Sequence, residues 1–443
     1  MKRLMTGNEA VARGAYEAGA SYASAYPGTP STEILENIAL YGDAITSEWA
    51  VNEKVALEAA IGASIAGARS LAAMKHVGVN VAADPLFTFA YTGVNGGLVL
   101  VSADDPGVHS SQNEQDNRYY AKFAKIPMLE PSDSQEAKDM TKAAFELSER
   151  FDTPVLLRMT TRVCHSKSPV EEGIPLPPVK KPYVKRLDKF DAVPAVSRRL
   201  RVQLESRLAR LAAESNASTW NRVEGKLSKI GVVSSGVAYQ YAREAFGDGA
   251  SYFKLGMSFP LPLDALRDFA SKVDKLYVVE ELEPFVEEAL AAAGIACVGK
   301  ALLPVTGELD PATVAERMLG RSPACIQVEG ASVVERPPVL CAGCPHRGFF
   351  YELSRIKDLM IAGDIGCYGL GGSEPLRAKD SCVCMGASVG MGQGAQATFR
   401  RFGERRRAVA VLGDSTFFHT GMNGLLNAVY NKSDTVVCIL DNR

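Results

Sequence analysis

A chain of 443 residues is too long for a single hydrophobic core, and its length argues for about three domains. With 47% hydrophobic residues, 23% charged residues and a net charge of −2, it is an ordinary globular composition. That balance gives no electrostatic reason to expect nucleic acid or an anionic membrane as partner. The opening MKRLMTGNEAVARG lacks the apolar core of a signal peptide and no apolar run is long enough to span a bilayer, which points to the cytoplasm.

From residue 1 to about 166 helical and extended patterns alternate. Glu9–Gly19 reads as helix, Ala44–Trp49 as strand, Glu53–Ala66 as helix, Leu71–His76 and Gly97–Ala103 as strands, Ser134–Glu149 as helix and Pro154–Met159 as a buried strand. This predicts an α/β layer structure around a mostly parallel sheet. Within it, AYPGTPSTEI (Ala25–Ile34) ends a strand in a Pro/Gly turn and opens a helix with Ser31 or Thr32 at its N-cap. The hydroxyls there serve either as caps or as a carboxylate site. Glu53 lies in the first turn of the next helix, where interaction with the helix dipole already accounts for an acidic residue.

Five prolines in Pro169–Pro182 mark a linker, followed by a charged helical stretch, Leu187–Glu214. Residues 167–225 thus connect to a second, smaller α/β pattern at 226–330, with Ile230–Ser234, Tyr252–Leu255 and Lys275–Val279 as strands. A polar connection, Arg321–Pro338, leads to a third α/β unit at 331–443. Five of the nine cysteines crowd into Cys341–Cys384. Cys341 and Cys344 have metal-ligand spacing and Cys367 follows in GDIGCYGLG, so these three are either ligands of an iron–sulfur cluster or zinc, or free thiols beside a cofactor. The Gly/Ala-rich Cys384–Ala397 reads as a closely packed helix. AVAVLGDSTFF, a helix and VVCILDN then form a right-handed βαβ unit that carries Asp414 and Asn442 to neighbouring strand ends. Their carboxylate and amide oxygens suit a hard cation carrying a phosphate ester.

Taken in order, YPGTPST at Tyr26, NEKVALEAAIGAS at Asn52, CAGCPHRG at Cys341, GDIGCY at Gly363, CMGASVGMGQG at Cys384 and GDSTFFHTG at Gly413 resemble the thiamine diphosphate-dependent 2-oxoacid:ferredoxin oxidoreductases. Within these, the resemblance is to the alpha subunits of indolepyruvate ferredoxin oxidoreductases and covers essentially the whole chain. It implies a pyrimidine-binding domain (1–166), a transketolase-C-like domain (226–330) and a diphosphate-binding domain (331–443). It implies thiamine diphosphate and Mg²⁺ as cofactors. Glu53 matches the glutamate that hydrogen-bonds N1′ of the aminopyrimidine ring, favouring the tautomer that takes the thiazolium C2 proton. Asp414 and Asn442 match the Mg²⁺ ligands. Gly363, Asp364, Met385, Gly386, Gly413, Ser415 and His346 fall in cofactor-binding stretches, Met385 as the residue that wedges the cofactor into its bent form. Thr29 matches a threonine that binds the substrate carboxylate, and His76 and His109 line the pocket. The implied reaction oxidises arylpyruvates such as indole-3-pyruvate and phenylpyruvate to aryl-acyl-CoA. Its implied partners are coenzyme A, ferredoxin, a smaller beta subunit and a second alpha chain.

Members of the family continue past residue 443, through a third Mg²⁺ ligand and a ferredoxin-like domain that carries most of the iron–sulfur clusters. The chain is therefore expected to be a fragment or a shortened relative. Two other functions fit the same residues: non-oxidative decarboxylation of a 2-oxoacid, and an inactive chain that binds a partner subunit.

Overall fold

The computed structural model describes residues 2–178, 180–322, 334 and 336–442. The boundary expected at residue 330 and most of the connection around it lie outside them. The chain divides into two compact units, Met1–Cys325 and Ile326–Arg443.

In the first unit, β1 (Lys2–Thr6) leads into α1 (Gly7–Glu17) through a capping box, in which Thr6 Oγ1 accepts from the Glu9 N–H and the Glu9 carboxylate from the Thr6 N–H. There follow β2 (Tyr22–Ala25), α2 (Thr32–Ala39), β3 (Thr46–Trp49), α3 (Glu53–Ile65), β4 (Ser70–Lys75), α4 (His76–Val81), α5 (Ala83–Thr92), β5 (Leu98–Asp104), α6 (Arg118–Ala124), β6 (Met128–Leu129), α7 (Ser134–Phe151) and β7 (Val155–Thr160). The Pro-rich stretch begins as a strand, β8 (Lys167–Glu171), antiparallel to β1. Pro169 is tolerated there because an edge strand need not offer every N–H. Next come β9 (Arg222–Glu224), β10 (Ile230–Ser235), β11 (Ser251–Leu255), β12 (Met257–Phe259) and β13 (Lys275–Val279).

The main sheet has the order β12-β6-β7-β5-β4-β2-β3, parallel except for β12, and a smaller sheet has the order β13-β10-β11-β9. The mostly parallel α/β architecture predicted from the apolar runs is what forms. Because β2→β3 and β3→β4 run in opposite directions along the sheet, right-handed crossovers put α2 and α3 on opposite faces. Ile34, Leu35 and Ile38 of α2 accordingly join α1 and α7 in one core, while Leu57 and Ala60 of α3 join α5 and α6 in the other. The second core continues into Val233, Phe253 and Val278 of the smaller sheet. Adjacent strands β2 and β4 thus send their following helices to opposite faces, and the crevice this opens at their carboxyl ends is where open α/β sheets hold ligands.

The second unit has three parallel strands in the order β14 (Leu359–Ala362), β15 (Arg407–Gly413) and β16 (Val436–Leu440). Helices Ala387–Arg401 and Met422–Tyr430 make the two crossovers and share a core with β15. Gly392 lets the first of them close on the sheet, since a Cβ there would come within 2.9 Å of Thr435 Cγ2.

Several expected element bounds move by a residue or more. Leu187–Glu214 is broken into Leu187–Phe190 and Pro194–Ala217, because proline starts a helix well but cannot continue one. The strand expected to reach His76 stops at Lys75, and His76 opens α4. The helix expected from Cys384 starts at Ala387, after Gly386 in the left-handed region at φ 84°. Among the described residues no helix is long and apolar enough to cross a membrane.

Candidate active site

Four candidates of the first unit follow carboxyl ends of its parallel strands. Thr29 follows β2, Glu53 follows β3, His76 follows β4 and His109 follows β5. Asn52 caps α3 by accepting from the Val55 N–H at 2.9 Å, which places the buried Glu53 in the first turn. α4 passes directly over that carboxylate: a Cβ on Gly78 would come within 2.7 Å of Glu53 Cγ. The Tyr26–Thr29 turn lies on Lys75, and a Cβ on Gly28 would come within 3.0 Å of Lys75 Cδ. Ser31 occupies the N-cap of α2, but it is buried and its hydroxyl donates to Gly28 O at 2.9 Å, while Thr32 Oγ1 accepts from the Gly28 N–H at 2.9 Å. Both hydroxyls therefore shape the turn that carries Thr29, which is itself exposed.

The loop after β5, residues 105–116, covers this crevice. His76 Nε2 lies 3.2 Å from Asn113 O, and the His76 carbonyl accepts from Gln115 Nε2 and Asn117 Nδ2. Lys75 Nζ donates to Ser110 O at 2.7 Å. His76 is fully buried, and its Nδ1 has no hydrogen-bond partner among the described residues. Burial works against the charged form of Asp105, but hydrogen bonds from Ser111 Oγ, the Ser110 N–H and Thr161 Oγ1 outweigh it and hold that carboxyl below its usual range. Burial pushes the Lys75 ammonium down, against the opposing pull of Asp105 and Glu53.

A second segment clamps the loop from outside. Glu308 pairs with His109 Nε2 at 2.9 Å and with Arg162 Nε and Nη2, each at 2.6 Å. Glu114 accepts from the N–H of Gly107 at 2.6 Å and of Gly307 at 2.9 Å. The hydrogen bond from Arg162 holds the Glu308 carboxyl below its usual range. His109 is thus engaged with Glu308 while His76 and Lys75 lie under the same loop.

In the second unit, buried Asp364 follows β14 and accepts from the N–H groups of Ile365 (2.8 Å), Gly386 (2.7 Å) and Ser388 (3.0 Å). It thereby satisfies orphan donors at the start of helix Ala387–Arg401. Thr420 Oγ1 donates to Met385 O at 2.7 Å, and a Cβ on Gly386 would collide with that hydroxyl. These contacts fix Met385 and Gly386 in place. Gly413 ends β15 under the Tyr368 hydroxyl, and Gly363 lies against the Lys379 side chain, with no room for a Cβ at either. The register Gly413↔Leu440 brings half-buried Asp414, exposed Ser415 and exposed Asn442 to adjoining strand ends. Buried His346 packs on Tyr368 with ring centroids 5.6 Å apart, and its Nε2 makes no hydrogen bond among the described residues. Cys341 and Cys344 share a turn at the start of helix Pro345–Arg355, and Cys367 lies after β14. All three are free, and among the described residues no three His, Cys, Asp or Glu side chains gather into a metal-holding group.

Lys75, Asp105, Glu308, Tyr368 and Thr420 escaped the sequence reading. A lysine at the end of an apolar strand reads as a solvated strand end, and Glu308 belongs to a loop whose partner lies almost two hundred residues earlier. Tyr368 and Thr420 carried a signal, as parts of GDIGCY and GDSTFFHTG.

Residues 13–203 match the family described as pyruvate flavodoxin/ferredoxin oxidoreductase, thiamine diP-binding, and residues 364–443 match the thiamine pyrophosphate enzyme, C-terminal TPP binding domain. The chain is 44% identical, over all of its own length and 75% of the relative's, to indolepyruvate oxidoreductase subunit IorA of Archaeoglobus fulgidus. It is 42% identical, with the same coverage, to the protein of that name from Methanothermobacter thermautotrophicus. Among solved structures, a 2-oxoglutarate:ferredoxin oxidoreductase from Magnetococcus marinus shares the fold at 18% identity, with a TM-score of 0.61 over 72% of this chain and 65% of that one. The chain belongs to the family of the indolepyruvate oxidoreductase IorA subunits.

Proposed function

We propose that this chain is the alpha subunit of an enzyme that oxidatively decarboxylates arylpyruvates, indole-3-pyruvate and phenylpyruvate among them, to aryl-acyl-CoA with thiamine diphosphate as cofactor and ferredoxin as electron acceptor. What carries the reading is the buried Glu53 carboxylate in the first turn of α3, at the ligand-holding edge of a sheet, in a chain so closely similar to IorA subunits. When bound, the cofactor supplies the electron sink that decarboxylation of a 2-oxoacid requires.

Each unit carries a donor set suited to one part of that cofactor. Glu53 offers a buried carboxyl to the aminopyrimidine, and Gly78 permits the close approach of α4 that keeps water from it. Asp414 and Asn442 offer hard oxygens to Mg²⁺ on the diphosphate, with Ser415 beside them and Gly413 ending the strand under the Tyr368 hydroxyl. Gly363, Gly386 and Met385 shape the neighbouring wall, Asp364 anchoring it, and His346 offers an unused buried nitrogen. Thr29, His76 and His109 serve the substrate side. In this reading residues 1–166 form the pyrimidine-binding domain, 226–330 the transketolase-C-like domain and 331–443 the diphosphate-binding domain. A smaller subunit, a second alpha chain and iron–sulfur clusters complete the enzyme, and Cys341, Cys344 and Cys367 act as thiols near the cofactor.

The test is anaerobic turnover of phenylpyruvate by the chain with its smaller subunit, Mg²⁺, thiamine diphosphate, coenzyme A and oxidised ferredoxin. Phenylacetyl-CoA formed in step with ferredoxin reduction is expected. Release of the aldehyde with no reduced ferredoxin would replace the oxidative reading by the non-oxidative one, and absence of CO₂ release would overturn both.

A further inference from the structure

The crevice between β2 and β4 holds a cation to which the proposed reaction assigns no task. Lys75 ends β4, and its stem is covered by the turn that carries Thr29. Its ammonium has three N–H donors, and among the described residues one hydrogen bond, to Ser110 O, is formed. Asp105 and Glu53 both pull on the ammonium, but the Asp105 carboxylate is occupied by Ser110, Ser111 and Thr161, and among the described residues Lys75 forms no ion pair with either. A partly buried charge with unused donors and no ion-pair partner is unfavourable alone and is relieved by an anion.

We infer that Lys75 binds the carboxylate of the 2-oxoacid substrate. The assignment rests on the reading of the chain as a 2-oxoacid decarboxylase. The carboxylate, with the 2-oxo group, is common to all 2-oxoacids, so Lys75 recognises the class and leaves discrimination among side chains to other walls of the pocket. Thr29 presents its hydroxyl from the same turn, and loop 105–116 holds the ammonium through Ser110. The chemistry also fixes where the effect falls. The carboxylate carries its full charge when the substrate binds and loses it as CO₂ leaves, so Lys75 stabilises the bound substrate more than the transition state, and its loss acts on KM more than on kcat.

The experiment compares Lys75→Met and Lys75→Arg with the parent in the complete enzyme, with the smaller subunit present. Charge-assisted hydrogen bonds of this kind predict a KM for phenylpyruvate raised about 30-fold or more in Lys75→Met, with a smaller change in kcat, an unchanged KM for coenzyme A and substantial recovery in Lys75→Arg. An unchanged KM for phenylpyruvate would overturn the assignment. So would equal rises in KM for phenylpyruvate and coenzyme A, which would mean that Lys75 only holds loop 105–116 in shape. Deuterium exchange at C2 of the bound cofactor in the parent separates the two claims. Normal exchange with an unchanged KM removes Lys75 alone, whereas no exchange in the parent removes the decarboxylase reading and this assignment with it.

Discussion

Glu53 combines features that rarely coincide: a carboxylate with little exposure, a position in the first turn of a helix whose dipole favours its charge, and a glycine of another helix packed on its stem. Proton-transfer roles of this kind contribute about 100-fold or more. Glu53→Gln keeps the shape and is expected to retain the fold while slowing C2 exchange of bound thiamine diphosphate by at least that factor, as followed by NMR in deuterated buffer; exchange at the parent rate would remove Glu53 from its role. The place of Glu53 in the fold was legible in the sequence. Glu53 read as the start of a helix because a run of helical periodicity has a local cause. Lys75 was not legible, since what singles it out is the turn laid on its stem and the lack of a formed ion pair among the described residues, both set by distant parts of the chain.

Loop 105–116 is held from two sides by different elements, by Lys75 and His76 beneath and by Gly307 and Glu308 outside. Removing Glu308 frees His109 and Arg162 together. Glu308→Ala is therefore expected to raise hydrogen exchange of the amides of residues 107–114 by about ten-fold relative to the parent, while amides of β4 and β5 keep their protection. Mass spectrometry of the exchanged peptides checks this, and equal protection of the loop in both proteins would show that the clamp is incidental. The long strands were readable as elements because LVLV and AVAVLG are apolar without interruption. β12 was not, because three residues carry no period and its partner β6 precedes it by more than a hundred residues. The clamp likewise depends on chain segments joined only by folding.

Across the first unit as a whole, a buried ion network ties the two sheets together. Arg118 of α6 pairs with Asp116, donates to Glu280 Oε2 at 2.6 Å and also donates to the carbonyls of Glu281 and Glu283 after β13. Arg158 of β7 donates to Asp104 at 2.8 Å and to Glu130 at 2.6 Å. Beside them, burial pushes the Glu281 carboxyl up to about 7, although it accepts from the Leu309 N–H. A carboxyl raised in the folded state binds a proton that the unfolded chain has already lost. Its contribution is thus fully present below the unfolded value of 4.5 and lost as pH rises to about 7. The loss is of order 3 kcal/mol. Glu281→Gln, which keeps an acceptor for Leu309, is expected to be more stable relative to the parent at pH 7.5 than at pH 4.5, by urea unfolding at both; a difference independent of pH would contradict this. The α/β class and the order of the site motifs were legible in the sequence, because each arises from local patterns. The sharing of one core between two sheets was not, because it depends on which faces meet. The most direct measurement of the central claim is calorimetric titration of the chain with thiamine diphosphate, with and without Mg²⁺, for the parent and for Asp414→Ala. Mg²⁺-dependent binding by the parent, weakened about ten-fold or more in Asp414→Ala, is predicted. Binding that ignores Mg²⁺ and Asp414 alike, or no binding by the parent, would contradict the account.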